Sequence, residues 1–192
     1  MAKRILYLVR HGQQDSKHTP ADDLGGRLTA LGRQQAALTA RRLAQLPIRA
    51  IHHSDLRRAA ETASIIARKF QEAPLRQSRR LRECIPTIPW AFSEYFAELP
   101  ATALARDQRQ AESVFKTHFR AARSDERHEV VVCHGNLIRY LVCRALCVPP
   151  EAWMNLDICN CGISIVSIEP KRMVLIAHND VGHLPPALTT FI

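Results

Sequence analysis

Ile5–Leu6–Tyr7–Leu8–Val9–Arg10–His11–Gly12 is the stretch on which the reading of this chain turns. Five apolar residues in succession, closed by a cation, an imidazole and a glycine, read as a strand buried on both faces of a sheet. Sheets of that kind gather ligands beyond the carboxyl ends of their strands, which is where Arg10, His11 and Gly12 fall. Arg10 offers a planar fork of donors that matches phosphate oxygens, His11 a nucleophilic ring nitrogen, and Gly12 a backbone that an anion can approach closely. An Arg-His-Gly tripeptide taken alone is more often just the polar end of a strand, so the rest of the chain has to decide.

The chain has 192 residues, 46% hydrophobic and 23% charged, which suits one domain over residues 1–192 with a sizeable core. That composition excludes a disordered chain, and no apolar span approaches the eighteen residues of a membrane helix. Lys3 and Arg4 are followed by only five apolar residues before Arg10, too few for a secretion signal, so a cytoplasmic chain with no membrane partner is expected. The six cysteines, Cys84, Cys133, Cys143, Cys147, Cys159 and Cys161, show no C-x-x-C spacing and read as reduced, mostly buried thiols. A net charge of +9 favours anionic partners, but the basic residues are spread out with no aromatic-interleaved cluster, so nucleic acid is not the expected partner.

Residues 13–27 are polar, with Pro20 and the Gly25–Gly26 pair, and read as a loop beside the first strand's end. Thr29 is placed as an N-cap for a helix over 30–46, ended by Pro47. A strand over 48–53, a helix over 56–70 and a strand over 75–78 complete a βαβαβ rhythm. Pro86, Pro89 and Pro100, with Trp90, Phe92, Tyr95 and Phe96, mark an irregular excursion over about 85–100 that is expected to wall the site. Then come a helix over 102–123, a strand over 129–133, a helix over 136–146, and a hairpin of 163–168 with 172–177.

Three further stretches bear on the first. Ser54–Asp55–Leu56–Arg57–Arg58 and Leu81–Arg82–Glu83 each follow a strand, and Val130–Val131–Val132–Cys133–His134–Gly135–Asn136 runs from strand to glycine to helix, with helix amides behind the histidine. Singly each has a dull explanation: a satisfied buried imidazole, a solvated helix start, a loop carboxylate. Together the topology brings His11, His134, Arg10, Arg58 and Glu83 to one sheet edge.

On these motifs, with Leu28–Thr29–Ala30–Leu31–Gly32–Arg33–Gln34–Gln35–Ala36 and Arg58–Ala59–Ala60–Glu61–Thr62, nearly the whole chain resembles the histidine phosphatase, or phosphoglycerate mutase-like, superfamily. Within it Val142–Cys143–Arg144–Ala145–Leu146 and Gly182–His183–Leu184–Pro185–Pro186 are similar to the PGAM-five-like serine/threonine protein phosphatases, and a chain without the membrane anchor and linker of their mitochondrial form is expected. The resemblance implies a three-layer α/β/α sandwich with a mostly parallel central sheet, 5–9 and 129–133 in its middle and the hairpin as an antiparallel edge. It implies a phosphomonoester hydrolase in which His11 takes the phosphoryl group, Glu83 protonates the leaving oxygen and then activates water, and His134 joins them. Arg10, Arg58, Gly12 and Gly135 would bind the phosphate. No metal and no cofactor are implied, since His52 and His53 are adjacent and the other histidines show no ligand spacing. A homodimer is expected through 163–168, the hairpin and 182–186.

Other classes stay in view. Cys133 to Arg139 satisfies the C-x5-R spacing of cysteine-dependent phosphatases, though 137–142 is too apolar for a phosphate-cradling loop. A small-metabolite or sugar-phosphate phosphatase, a mutase, and a non-catalytic phosphopeptide-binding module complete the alternatives.

Overall fold

The computed structural model describes residues 2–18 and 22–191; Pro20, read as part of the first loop, lies outside them. In chain order the elements are β1 (Arg4–Arg10), α1 (Ala30–Leu43), β2 (Ile48–Ser54), α2 (Arg57–Ala67), β3 (Leu75–Ser78), α3 (Ala101–His118), β4 (Arg127–Cys133), α4 (Gly135–Ala145), β5 (Ile163–Ile168) and β6 (Met173–Asp180). The strands form one sheet in the order β3-β2-β4-β1-β5-β6. β3, β2, β4 and β1 run parallel, and β5 and β6 are antiparallel additions.

The apolar run of β1 works because the strand is covered on both sides. Leu6 and Leu8 pack with Val131, Ala111 and Val114 of α3 and Leu137, Ile138 and Leu141 of α4. Ile5, Tyr7 and Val9 face the other way, onto Ala40 and Leu43 of α1 and Ala59, Ala63 and Ile66 of α2. The expected α/β/α sandwich is therefore present, with β1 and β4 as its middle strands and the β5–β6 hairpin as its edge. From the ends of β1 and β4 the chain leaves to opposite faces, into α1 and α4, which opens a crevice at the strands' carboxyl edge.

Several boundaries differ from the periodicity: α1 ends at Leu43 rather than at 46, and β6 runs on to Asp180 rather than ending at 177. Phe119 leaves helical geometry, buries its ring against Phe115 at 4.7 Å, and so ends α3 at His118 rather than near residue 123. α2 stops at Ala67, with Lys69 and Phe70 completing single turns onto the carbonyls of Ile66 and Ala67. The excursion forms two 3-10 turns, Trp90–Phe92 and Glu94–Phe96, anchored where Trp153 Nε1 donates to the Thr87 carbonyl at 3.0 Å.

Candidate active site

The register of β1 on β4 pairs Arg10 with Cys133, and the His11 amide extends the ladder to the Cys133 carbonyl at 3.1 Å. His11 and His134 therefore leave the sheet side by side, with ring centroids 5.1 Å apart. Both are buried. His11 Nδ1 lies 2.8 Å from the Gly12 carbonyl, which only accepts, so Nδ1 carries the hydrogen and Nε2 keeps its lone pair. Arg58 Nε donates to that Nε2 at 3.0 Å. Burial first, then the Arg58 and Arg10 charges, hold His11 well below the usual imidazole pKa, so it stays neutral at physiological pH. Burial and then the His11 ring and both arginines do the same to His134.

Two close approaches set this geometry. A Cβ on Gly12 would stand 2.5 Å from the Gly32 carbonyl oxygen at the start of α1, so only glycine lets the loop lie there. The Gly12 amide then donates to Thr62 Oγ1 at 3.1 Å, and that hydroxyl donates to the Arg58 carbonyl at 2.7 Å. Thr62 thus ties the nucleophile's loop to the turn of α2 that carries Arg58.

Glu83 follows the 3-10 turn Arg79–Leu81 and reaches the amino end of α4, where its carboxylate accepts from the amides of Asn136 at 3.4 Å and Leu137 at 3.3 Å. The helix amides behind His134 thus hold the Glu83 carboxyl group. Burial raises the Glu83 pKa, and the opposing amides and Arg58 do not cancel that rise, which is the condition a general acid needs. Gly135 opens α4 beside Arg10, where a Cβ would meet Arg10 Nε at an ordinary 3.6 Å, so its place does not demand glycine by space.

Charge around the crevice is sorted. Arg57, the neighbour of Arg58, turns away to a two-pronged pair with Asp22, and Arg82 grips Asp55 at 2.7 and 2.8 Å and Asp23 at 2.8 Å. Among the described residues neither Arg10 nor Arg58 has a carboxylate within 4 Å. Arg10 Nε and both ring nitrogens of His134 are buried with no hydrogen-bond partner among the described residues. Burial lowers the pKa of each of these two arginines without discharging it. Cys133, by contrast, packs in the core with its thiol pKa pushed far up by burial, so it is no nucleophile.

All seven singled-out residues sit on this edge. The family model described as the histidine phosphatase superfamily (branch 1) matches residues 6–181. The chain belongs to the histidine phosphatase superfamily. It is 34% identical, over 99% of its length and 67% of the relative's, to the mitochondrial serine/threonine-protein phosphatase Pgam5 of Caenorhabditis elegans. The human mitochondrial protein of the same name is 35% identical over 96% of this chain and 65% of its own. The chain thus spans about two thirds of the length of these relatives. A phosphoglycerate mutase from Plasmodium falciparum superposes with a TM-score of 0.67 and 28% identity, covering 97% of this chain and 96% of that one. This histidine phosphatase is accordingly an enzyme of the phosphatase class.

The comparisons overturn the cytoplasmic expectation: the curated relatives are named as mitochondrial. That expectation rested on the residues before Arg10, whose hydropathy excludes one kind of signal and says nothing of other addresses. Among the described residues no helix is long and apolar enough to cross a membrane.

Of the excursion's aromatics, Phe96 meets Tyr95 and Trp153. And although the histidines show no metal spacing along the chain, the fold brings ligand atoms of His52, His118 and Glu129 within 4.8 Å of one another. Strand pairing and the end of α3 create that group, so no motif announced it. Sequence reasoning also gave no role to Thr62, Gln35 or Asn160, all fully buried polar residues at the site. Thr62 and Gln35 stood inside quoted motifs; Asn160 was hidden between two cysteines.

Proposed function

We propose that this phosphatase hydrolyses phosphomonoesters through a phosphohistidine on His11 Nε2, with serine- or threonine-phosphorylated protein as its substrate and no metal in the reaction. The observation that carries the reading is the neutral His11, its Nε2 lone pair aimed into a crevice where, among the described residues, Arg10 and Arg58 have no carboxylate partner. Preorganised positive charge of that kind meets the charge that spreads over the equatorial phosphoryl oxygens in the transition state. In the first step the Nε2 lone pair forms a bond to phosphorus, the ester P–O bond breaks, and Glu83 gives its proton to the departing alkoxide. In the second, water attacks phosphorus, Glu83 takes the water's proton, and the P–N bond breaks to return neutral His11 and phosphate. Arg58 Nε, resting on Nε2, transfers its hydrogen bond to a phosphoryl oxygen when the nucleophile is engaged.

The protein substrate is supported by the names of the curated relatives. Neither nucleic acid nor membrane is part of this reading. The homodimer would pair along β6 rather than 163–168, because β5 is enclosed between β1 and β6 whereas Ile176 on β6 is 57% exposed. A rapid acid-and-base quench tests the mechanism: the wild-type chain should carry phosphate that is acid-labile and base-stable, and chelator should leave the rate unchanged. Phosphate trapped on Cys133, or activity that survives His11→Ala and dies in Cys133→Ser, would overturn it.

A further inference from the structure

The carboxyl-terminal segment reaches back into the crevice. Arg10 Nη1 donates to the Phe191 carbonyl at 2.6 Å and to the Ile158 carbonyl at 2.7 Å. Thr190 holds Phe191 there. Its carbonyl accepts from the Asn160 amide at 2.8 Å, and its hydroxyl accepts from Gln35 Nε2 at 2.9 Å while donating to Asn160 Oδ1 at 2.9 Å. The far ends of the two amide side chains lie on the nucleophile's own loop. Asn160 Nδ2 donates to the His11 carbonyl at 3.1 Å, and Gln35 Oε1 accepts from the Gln13 amide at 2.8 Å. Gln35 Nε2 also donates to the Leu188 carbonyl at 2.7 Å.

We propose that Thr190, with Gln35 and Asn160, is a positioning residue that locks the segment 188–191 so that its backbone fixes the Arg10 guanidinium against His11. Gln35 and Asn160 are both 0% exposed, so every polar atom they fail to pair is costly, and the network holds one arrangement. An arginine side chain otherwise has many rotamers, and its grip on an anion improves with each one removed. Two carbonyls on Nη1 leave the Nε–Nη2 edge of Arg10 for a two-pronged bond to phosphate. The buried Nε on that edge has no hydrogen-bond partner among the described residues and stands beside Gly135 at the start of α4. This inference rests on the proposed phosphoryl chemistry, and binding of inorganic phosphate separates the two.

The test compares Thr190→Val, Thr190→Ser and a chain ended after Leu188. The measurements are calorimetry with inorganic phosphate, and KM and kcat on p-nitrophenyl phosphate. Thr190→Val and the shortened chain should lose phosphate affinity and raise KM roughly tenfold, the size of one lost hydrogen bond to a charged group, with kcat changed by less than about twofold. Thr190→Ser keeps the hydroxyl and should bind as the parent does. In an Arg10→Ala background Thr190→Val should weaken phosphate binding no further, a coupling that a general loosening of the fold would not produce. Unchanged phosphate affinity in both the valine variant and the shortened chain overturns the proposal, as does a full tenfold loss added on top of Arg10→Ala. A parent that binds phosphate with this pattern but hydrolyses no ester removes the phosphatase mechanism and leaves the positioning role standing. A parent that binds no phosphate removes both.

Discussion

Two pairs of histidines meet in this molecule at nearly the same separation, His11 with His134 at 5.1 Å and His52 with His118 at 4.8 Å between ring centroids. Burial depresses the pKa of both rings in the first pair and takes His118 in the second to about 4. The pairs differ in what surrounds them. His52 and His118 enclose the buried carboxylate of Glu129, which lies 3.7 Å from His52 Nε2, 3.8 Å from Arg4 Nη1 and 3.8 Å from Arg127 Nε. Burial pushes that carboxyl up, but His52, Arg4 and Arg127 outweigh it and hold Glu129 below its usual range. In this second cluster two guanidiniums stand on one carboxylate, so the charge that Glu129 needs is supplied from within the cluster. Around His11 and His134, among the described residues, the guanidiniums of Arg10 and Arg58 have no carboxylate within 4 Å, and the carboxyl group that is present is held back against α4 with a raised pKa. Rings at nearly equal distance thus differ in whether the guanidiniums beside them already hold a carboxylate.

The comparison breaks most easily at the nucleophile. His11→Ala should lose roughly four orders of magnitude or more in kcat on every phosphoester, as removal of a nucleophile does in other covalent enzymes. Arg58→Ala should lose about 2.7–4 kcal/mol of transition-state stabilisation, like one donor removed from an oxyanion site. His118→Ala, at the same ring distance from a partner, should change the rate by less than about twofold when assayed beside them. Equal losses at both pairs would dissolve the distinction.

Glu83 sharpens it. Glu83→Ala should cost about 10²–10⁴-fold on phosphoserine and other alkyl esters, whose leaving oxygen needs a proton, and far less on p-nitrophenyl phosphate. The pH dependence follows from the two shifts. His11 must be neutral, and its lowered pKa puts the acid limb well below pH 6.5; Glu83 must be protonated to act as the acid, and its raised pKa sets the alkaline limb. The alkyl-ester optimum therefore lies between those limbs, and the alkaline limb seen with alkyl esters should be missing from the parent enzyme's profile on p-nitrophenyl phosphate, whose leaving oxygen needs little protonation.

The smallest effect belongs to the structural pair. His118 is neutral in the fold at about 4 and charges near 6.5 when unfolded, so the unfolded chain binds the extra proton between those values. The stability it contributes is present above pH 6.5 and fades as pH falls toward 4, with Arg4 and His52 opposing its charge and Glu129 favouring it. His118→Gln should flatten that slope by on the order of 1 kcal/mol, read from urea midpoints at pH 7 and pH 4.5.

Most of the first pair was legible in the chain and none of the second. The apolar run before Arg10 and the one before His134 each name a buried strand, and a strand of that kind ends at a sheet's ligand-binding edge. Two such ends predict a meeting, and the family motifs supplied Arg58 and Glu83. His52, His118 and Glu129 have no such grammar, because they meet only through the β2–β4 register and the point where Phe119 turns α3 off its axis. The same gap hid Thr190 and Asn160, whose work is done by one hydroxyl, one amide side chain and several main-chain carbonyls. Main-chain groups are carried by every residue type and leave no mark in a sequence.

The neutralised collar of Asp22, Asp23 and Asp55 on Arg57, Arg79 and Arg82 separates two electrostatic jobs that are often mixed. With the collar cancelled, the crevice's attraction for a distant anion comes from the diffuse surplus of +9 over the whole surface, and salt screens that within about 10 Å. The grip on a phosphate already inside comes from Arg10 and Arg58 in a buried setting that salt reaches poorly. Raising ionic strength should therefore slow capture of dilute substrate and lower kcat/KM while kcat stays level, so that the cell's salt governs how often this enzyme meets its substrate and hardly how fast it then turns over.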